Sequence, residues 1–394
     1  MPSPLSRLFL ILRLRSVQAL GLLAVTLAAC QPAPASPTPD MGAVMTQAVQ
    51  TALAGMATPT SPPTETLAPT ATSLPRTPPA LPSVYTSSLL HPLDTPHTYI
   101  TDTCQYLQNK WNPNNAAPGT VVMVIMFHSI SKDKATDINQ ISADEQRRLM
   151  KDLYEQGFQA IDMQQMADFM ERNAFIPPRS VLLIVDDRHF AEYFNTHFRP
   201  FYEQWGWPVV NGYIAKDERP DLWAENAALS AEGWVDYQAH GVIHNIPMDD
   251  NSSDDYLTSE LQGAITNIQK YYNKTPIAVI WPGGGFGARP VQFARQFGYQ
   301  LGFTVNPRGP LMYNWAPLGD QSDPQRPFYI PEGPIGDPLM TLPRYWDTDA
   351  RAHLDSVRNL GNEAAAYAEQ NKAAELEYYD IVCAPTYGPI PAAP

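Results

Sequence analysis

An apolar run, Leu182-Leu183-Ile184-Val185, ends in two adjacent carboxylates, Asp186 and Asp187. About fifty residues later His240 and His244 stand four apart, separated by Gly241, Val242 and Ile243. Two imidazoles and a carboxylate from another strand make a three-ligand set that suits a catalytic divalent metal with an open position. One aspartate can join that set while its neighbour serves as a base toward attacking water. Adjacent residues at a strand end point to different sides, so the two roles can be separated. The chemistry indicated is hydrolysis.

Groups so far apart in sequence meet only if strand ends gather them. Strand patterns fall at residues 121–127, 158–161, 181–185, 209–214, 235–239, 277–281 and 300–305. Helical patterns fall at 143–156, 164–172, 190–205, 254–272 and 289–297. Apolar strands alternating with amphipathic helices indicate a parallel sheet with crossover connections. Seven such units, with no glycine-rich dinucleotide turn, indicate a closed or nearly closed barrel rather than an open nucleotide-binding sheet. The expected fold is therefore α/β, a distorted (β/α)7 barrel over residues 119–308, preceded by a lead-in segment at 97–118. Residues 309–394 read as a C-terminal extension packed on the barrel, with a last strand or edge at 342–344, a long helix at 348–374 and a strand at 379–383.

On this layout the chemical residues share one end of the barrel. His128 follows the first strand, Asp186 and Asp187 the third, and His240 and His244 the fifth. Trp281, Pro282, Gly283 and Gly284 follow the sixth. The carboxyl ends of the strands are where βα barrels assemble their chemistry. Trp205, Trp207, Trp223 and Trp234 could line a sugar-binding groove or could pack the core. Asp249, Asp250, Asp254 and Asp255 could bind calcium or favour a helix N-terminus near residue 254.

The N-terminus reads as an export signal. Arg7, Arg13 and Arg15 precede an apolar run from Val17 to Ala29, and the run ends at Cys30 in Leu-Ala-Ala-Cys. That ending resembles a bacterial lipobox, which makes residues 1–29 a lipoprotein signal peptide and Cys30 the expected lipidation site. An ordinary signal peptide with a coincidental cysteine is the alternative. Removing three arginines leaves 26 − 3 = 23 basic against 40 acidic residues, a charge of −17. Such a surface excludes nucleic acid as a partner and leaves membrane attachment to the lipid. Residues 30–96 hold 14 prolines and almost no charge, the composition of an extended tether. A short helix at 43–56 interrupts it. Cys104 and Cys383 remain as a pair, either disulfide-bonded, as an oxidising compartment allows, or two buried thiols.

The motifs at the strand ends resemble the polysaccharide deacetylases, the NodB-homology carbohydrate esterases, over roughly residues 119–308. Met126-Phe127-His128-Ser129-Ile130 is similar to the opening of the secreted members. Ile184-Val185-Asp186-Asp187-Arg188 resembles the Thr-Phe-Asp-Asp-Gly motif, and His240 with His244 the His-Ser/Thr-x-x-His motif. Ile280-Trp281-Pro282-Gly283-Gly284 falls on Arg-x-Pro-Tyr/Phe-Gly. The resemblance implies a barrel of the deacetylase type, with Asp186 as general base and Asp187, His240 and His244 as metal ligands. It implies a backbone N–H near Gly283 for the oxyanion, and His128, Trp281, Pro282 and Gly284 against the substrate. Zinc is the implied metal, and cobalt, nickel or iron accept the same ligands.

The chain departs from that pattern in four places. Arg188 replaces a glycine, Gly241 replaces a hydroxyl residue, and Ile280 stands where an arginine orients the base. Arg179, Arg188 and Arg344 are candidates to supply that missing cation. No late Leu-x-His motif supplies a general acid; His353 is the only histidine beyond residue 244, on an expected surface helix. The function expected is a monomeric, membrane-anchored, extracytoplasmic deacetylase acting on an acetylated surface or cell-wall polysaccharide. The alternative is a catalytically silent barrel that binds glycan.

Overall fold

The computed structural model describes residues 41–55, 76–244 and 246–392 of the chain. The signal-like run and Cys30 lie outside the described residues. Met41–Gly55 is a helix of 15 residues and is the described part of a first unit. No helix among the described residues is long and apolar enough to cross a membrane.

In the second unit, an eight-stranded sheet holds β1 (Val121–Phe127), β2 (Gln159–Ala160), β3 (Arg179–Asp186), β4 (Val209–Tyr213), β5 (Val235–Ala239), β6 (Ala278–Ile280), β7 (Leu301–Phe303) and β8 (Tyr345–Trp346). The order is β7-β6-β5-β4-β3-β1-β8, with β2 also on β3, and all these pairings are parallel. Every residue of β1 is buried, which is why the strand reads as an unbroken apolar run. Val121, Met123, Ile125 and Phe127 face the core that holds the outer helices. Val122 and Val124 face a second core with Ile184, Val210, Ile280, Phe303 and Leu342, inside the curl of the sheet.

One short segment links the two edges. The Leu342 N–H donates to Gly302 (2.8 Å) and its carbonyl accepts from Thr304 (2.9 Å), on the β7 side. Three residues later Tyr345 and Trp346 pair with Ile125 and Met126 of β1. Residues 309–394 thus pack on the sheet and also supply its eighth strand.

Two sequence expectations need correction. The helix read over 190–205 is two helices, Ala191–His197 and Arg199–Trp205, because Pro200 can only begin a helix. Residues 379–383 are helical rather than extended, continuing the long helix Asp347–Tyr378. That run is rich in β-favouring types, yet helical spacing places Tyr379 and Cys383 together against Leu107. Cys383 is disulfide-bonded to Cys104, with Cα atoms 5.2 Å apart. A helix at Pro220–Ala231 carried no clear periodicity and went unread.

Trp207, Trp223 and Trp234 are buried in the core and Trp205 stacks on Tyr154, so these four serve packing. Asp250 accepts from the Arg289 N–H (2.8 Å) and Asp249 from that of Asn251 (2.9 Å), so both are spent on loop structure. The helix start itself is capped by Ser253.

Candidate functional site

Asp187, His240 and His244 converge at the carboxyl ends of β3 and β5. Each offers one ligand atom, and the three atoms lie within 4.8 Å of one another. Both imidazole Nε2 atoms are 3.8 Å from Asp187 Oδ1. His240 Nδ1 lies 2.7 Å from the Ile280 carbonyl, an acceptor that fixes the proton on Nδ1 and leaves the Nε2 lone pair toward the cluster. Burial, only partly opposed by Asp186, holds His240 down at about 4, so the imidazole is neutral as a ligand must be. The donor set therefore fits a divalent metal. Asp187 and His244 both take left-handed backbone conformations, φ 74° and 65°, a cost found where function over-determines the chain.

The loop between the histidines is held by a residue that its motif does not include. Glu260, on the helix Asp254–Tyr272, is fully buried and accepts the N–H groups of Val242 (2.9 Å), Ile243 (2.9 Å) and His244 (3.3 Å). Gly241 sits directly under this carboxylate. A Cβ there would lie 2.5 Å from Glu260 Oε2, on a backbone at φ +71°. Gly241 and Glu260 are thus one device: a helix carboxylate orders the loop, and the glycine makes room for it. The only sequence signal was an acidic residue at a core-facing position of an amphipathic helix.

Asp186 lies beside this cluster and is buried. Arg344 grips it with both arms of its guanidinium, Nη1 to Oδ1 at 2.7 Å and Nη2 to Oδ2 at 3.0 Å. Arg344 is itself fully buried and donates through Nε to the Thr304 carbonyl (2.7 Å). Burial works against the Asp186 charge, but Arg344, His240 and His128 outweigh it and hold the carboxyl at about 2. Of the three candidate arginines, this one faces the aspartate. Arg179 donates to Gln156, and Arg188 turns away to Glu218 (3.2 Å).

The remaining residues frame a cavity of about 480 Å³. His128 enters it from the end of β1, with Nε2 3.6 Å from Asp186 Oδ2 and its ring stacked on Trp346. Trp281 lines the wall, fully buried, its indole N–H bonded to the Met340 carbonyl (2.7 Å). Pro282–Gly284 form a tight turn in which the Gly284 N–H bonds back to Trp281 (3.0 Å). The Gly283 N–H takes no acceptor among the described residues. His189 is half-enclosed by Tyr193 and bonded to the Asp186 carbonyl (3.0 Å), and His353 pairs with Asp349 (2.8 Å); neither lines the cavity. Trp346, Asn139, Val305, Phe328 and Tyr329 also line the cavity and carried no sequence signal for it; for Trp346 the reason is that a two-residue strand has no readable period.

No protein-family model and no curated protein matches the chain. Among solved structures, it is similar to the Streptococcus pyogenes deacetylase PplD in complex with acetate, at 16% identity and TM-score 0.48, over 61% of this chain and 99% of that one. It is also similar to a polysaccharide deacetylase from Bacillus cereus, at 18% identity and TM-score 0.46, over 60% of this chain and 69% of that one. A third is IcaB from Ammonifex degensii, at 15% identity and TM-score 0.46, over 61% and 98%.

Proposed function

We propose that this chain is a metal-dependent hydrolase that removes acetyl groups from a polysaccharide. The convergence of Asp187, His240 and His244 beside an arginine-held Asp186 carries the hydrolytic part. The motif resemblance supports the acetylated polysaccharide as substrate. Asp187, His240 and His244 would hold a divalent ion, zinc by default, which would supply Lewis acidity for hydrolysis of an acetyl group.

The chain's own groups then have separate tasks. Asp186, held near 2, is a weak base on its own, and in this reading it takes a proton from the attacking water as that water adds to the carbonyl. Arg344 fixes both its oxygens and keeps it charged. The Gly283 N–H faces the oxyanion that forms as water adds to the carbonyl. His128 is the imidazole in the cavity outside the ligand set, and in this reading it donates the proton that the leaving group requires.

The silent-barrel reading draws on the absent late histidine motif. The Asp186–Arg344 pair speaks against it, because a glycan-binding protein has no use for a buried, tuned base. Metal content and acetate release, measured together on a panel of N- and O-acetylated glycans, test the proposal. Asp187→Ala should lose both. Asp186→Asn should keep the metal and lose roughly 10²–10⁴ in rate. A metal-loaded wild type that releases no acetate from any glycan of the panel would return the silent barrel.

A further inference from the structure

Phe328 is 90% exposed, the most exposed large hydrophobic side chain of the second unit among the described residues, and it stands at the mouth of the metal-site cavity. An apolar ring in water gains nothing for the fold, and a slack loop would let it collapse inward. The loop that carries it is not slack. Two residues before, Arg326 donates to both oxygens of buried Asp94 (2.7 and 2.8 Å) and to Asp323 (2.6 Å). Two residues after, the Ile330 carbonyl accepts from Asn306 (2.9 Å), and four after, buried Glu332 accepts from Arg308 (3.1 Å) and from the Gly319 N–H (3.0 Å). Arg308 closes the network by donating to Asp94 (2.9 Å). Between these anchors the Tyr329 N–H donates back to Arg326 (3.0 Å), which folds the chain into a turn with Phe328 at its tip.

Buried ion pairs are costly to assemble and contribute more to a defined geometry than to net stability. Here the geometry they define is one unpartnered aromatic ring beside the site. We infer that Phe328 is a stacking platform for a sugar ring next to the acetylated one, which makes the site selective for a polymer over a single sugar. The inference rests on the polysaccharide reading above and names the recognition element within it. The C–H face of a pyranose carries slightly positive hydrogens that suit the negative face of an aromatic ring. With the backbone of the turn held by this network, only the ring's own two torsions lose freedom when it is covered, so most of the gain appears as affinity.

The experiment compares kcat/KM for an acetylated oligosaccharide and for its acetylated monomer, using whichever glycan of the panel wild type hydrolyses. Phe328→Ala should lower the oligosaccharide-to-monomer ratio about tenfold, mostly through KM, as expected for loss of an aromatic anchor. Phe328→Trp, which keeps an aromatic face, should hold the ratio within about twofold of wild type. An active wild type whose ratio does not change in Phe328→Ala overturns the platform and leaves the hydrolase standing. A wild type inactive on every glycan defeats the hydrolase reading, and the platform falls with it. An equal loss on both substrates also overturns the platform, since it marks damage to the reacting centre rather than to chain recognition.

Discussion

The two halves of the site reach it by different routes. Asp187, His240 and His244 come from strand ends fewer than sixty residues apart and face one another directly. Arg344 and Trp346 come from a short segment about a hundred residues further on, and touch Asp186 and His128 rather than those three residues. The first half could hold a metal without the second. The second half has no chemistry of its own; it sets the charge of Asp186 and the position of His128, which stand beside the first. The proposed hydrolysis is therefore tested more sharply at the distant arginine than at the cluster that could hold a metal.

Changing the arginine tests that division most severely. Arg344→Lys keeps a positive charge but loses the planar fork that engages both oxygens of Asp186. We expect metal content near that of wild type and a rate lower by about 10²-fold. Metal content lost in step with rate would show that the halves are one unit, and an unchanged rate would show that the grip on Asp186 is idle. Arg344→Met is less informative, because it strands a buried carboxylate at a cost of about 3–5 kcal/mol and can unfold the sheet.

Glu260 sharpens the other half. It touches none of the atoms that would bind a metal and acts on His244 through the backbone of the loop. Glu260→Gln keeps the volume but replaces a charged acceptor of three N–H groups by a neutral one. Metal affinity should fall about 10–100-fold, the usual cost of losing a supporting contact, while the rate at saturating metal recovers. Affinity equal to that of wild type in a metal-competition titration would remove Glu260 from the site.

The same division governs what could be read from sequence. The sheet was legible because its central strands are buried on both faces. Val121–Phe127 is an unbroken apolar run that matches its strand end to end. Val235–Ala239 keeps its bounds although Asp236 and Gln238 interrupt the apolar pattern. The residues of the Asp-Asp and His-x-x-x-His motifs were legible as candidates because strand ends present them within a few positions of each other. Glu260 was hidden, since a carboxylate that serves a loop sixteen residues away looks like any other helix glutamate. Arg344 was one cation among three, and no local pattern could choose between them. The choice follows from Leu342 spanning the two edges of the sheet, a non-local pairing that a two-residue strand cannot announce. The helical run 379–383 was misread because β-favouring residue types outweighed helical burial spacing that only the Thr103–Trp111 helix and Cys104 make meaningful.

Asp347 marks the outer limit of the second half, and its expected effect, the smallest, is on stability rather than on rate. It follows Trp346, is buried, and its Oδ2 has no partner among the described residues. Burial first, and the charge of Asp186 in addition, hold it up at about 7 against the opposing Thr348 N–H. An unfolded aspartate titrates near 4, so the folded state binds the extra proton between about 4 and 7. Its contribution to stability is then fully present below about 4 and is lost as pH rises through 7. Between pH 5 and pH 8 that loss is about 2–3 kcal/mol on these values, an upper figure because water reaching the carboxylate would reduce it. Asp347→Asn is neutral throughout and lacks this dependence. Its Tm relative to wild type should therefore rise by a few degrees from pH 5 to pH 8. A Tm difference that stays the same at both pH values would mean that Asp347 is ionised in the folded protein, and that a partner or water reaches the carboxylate after all.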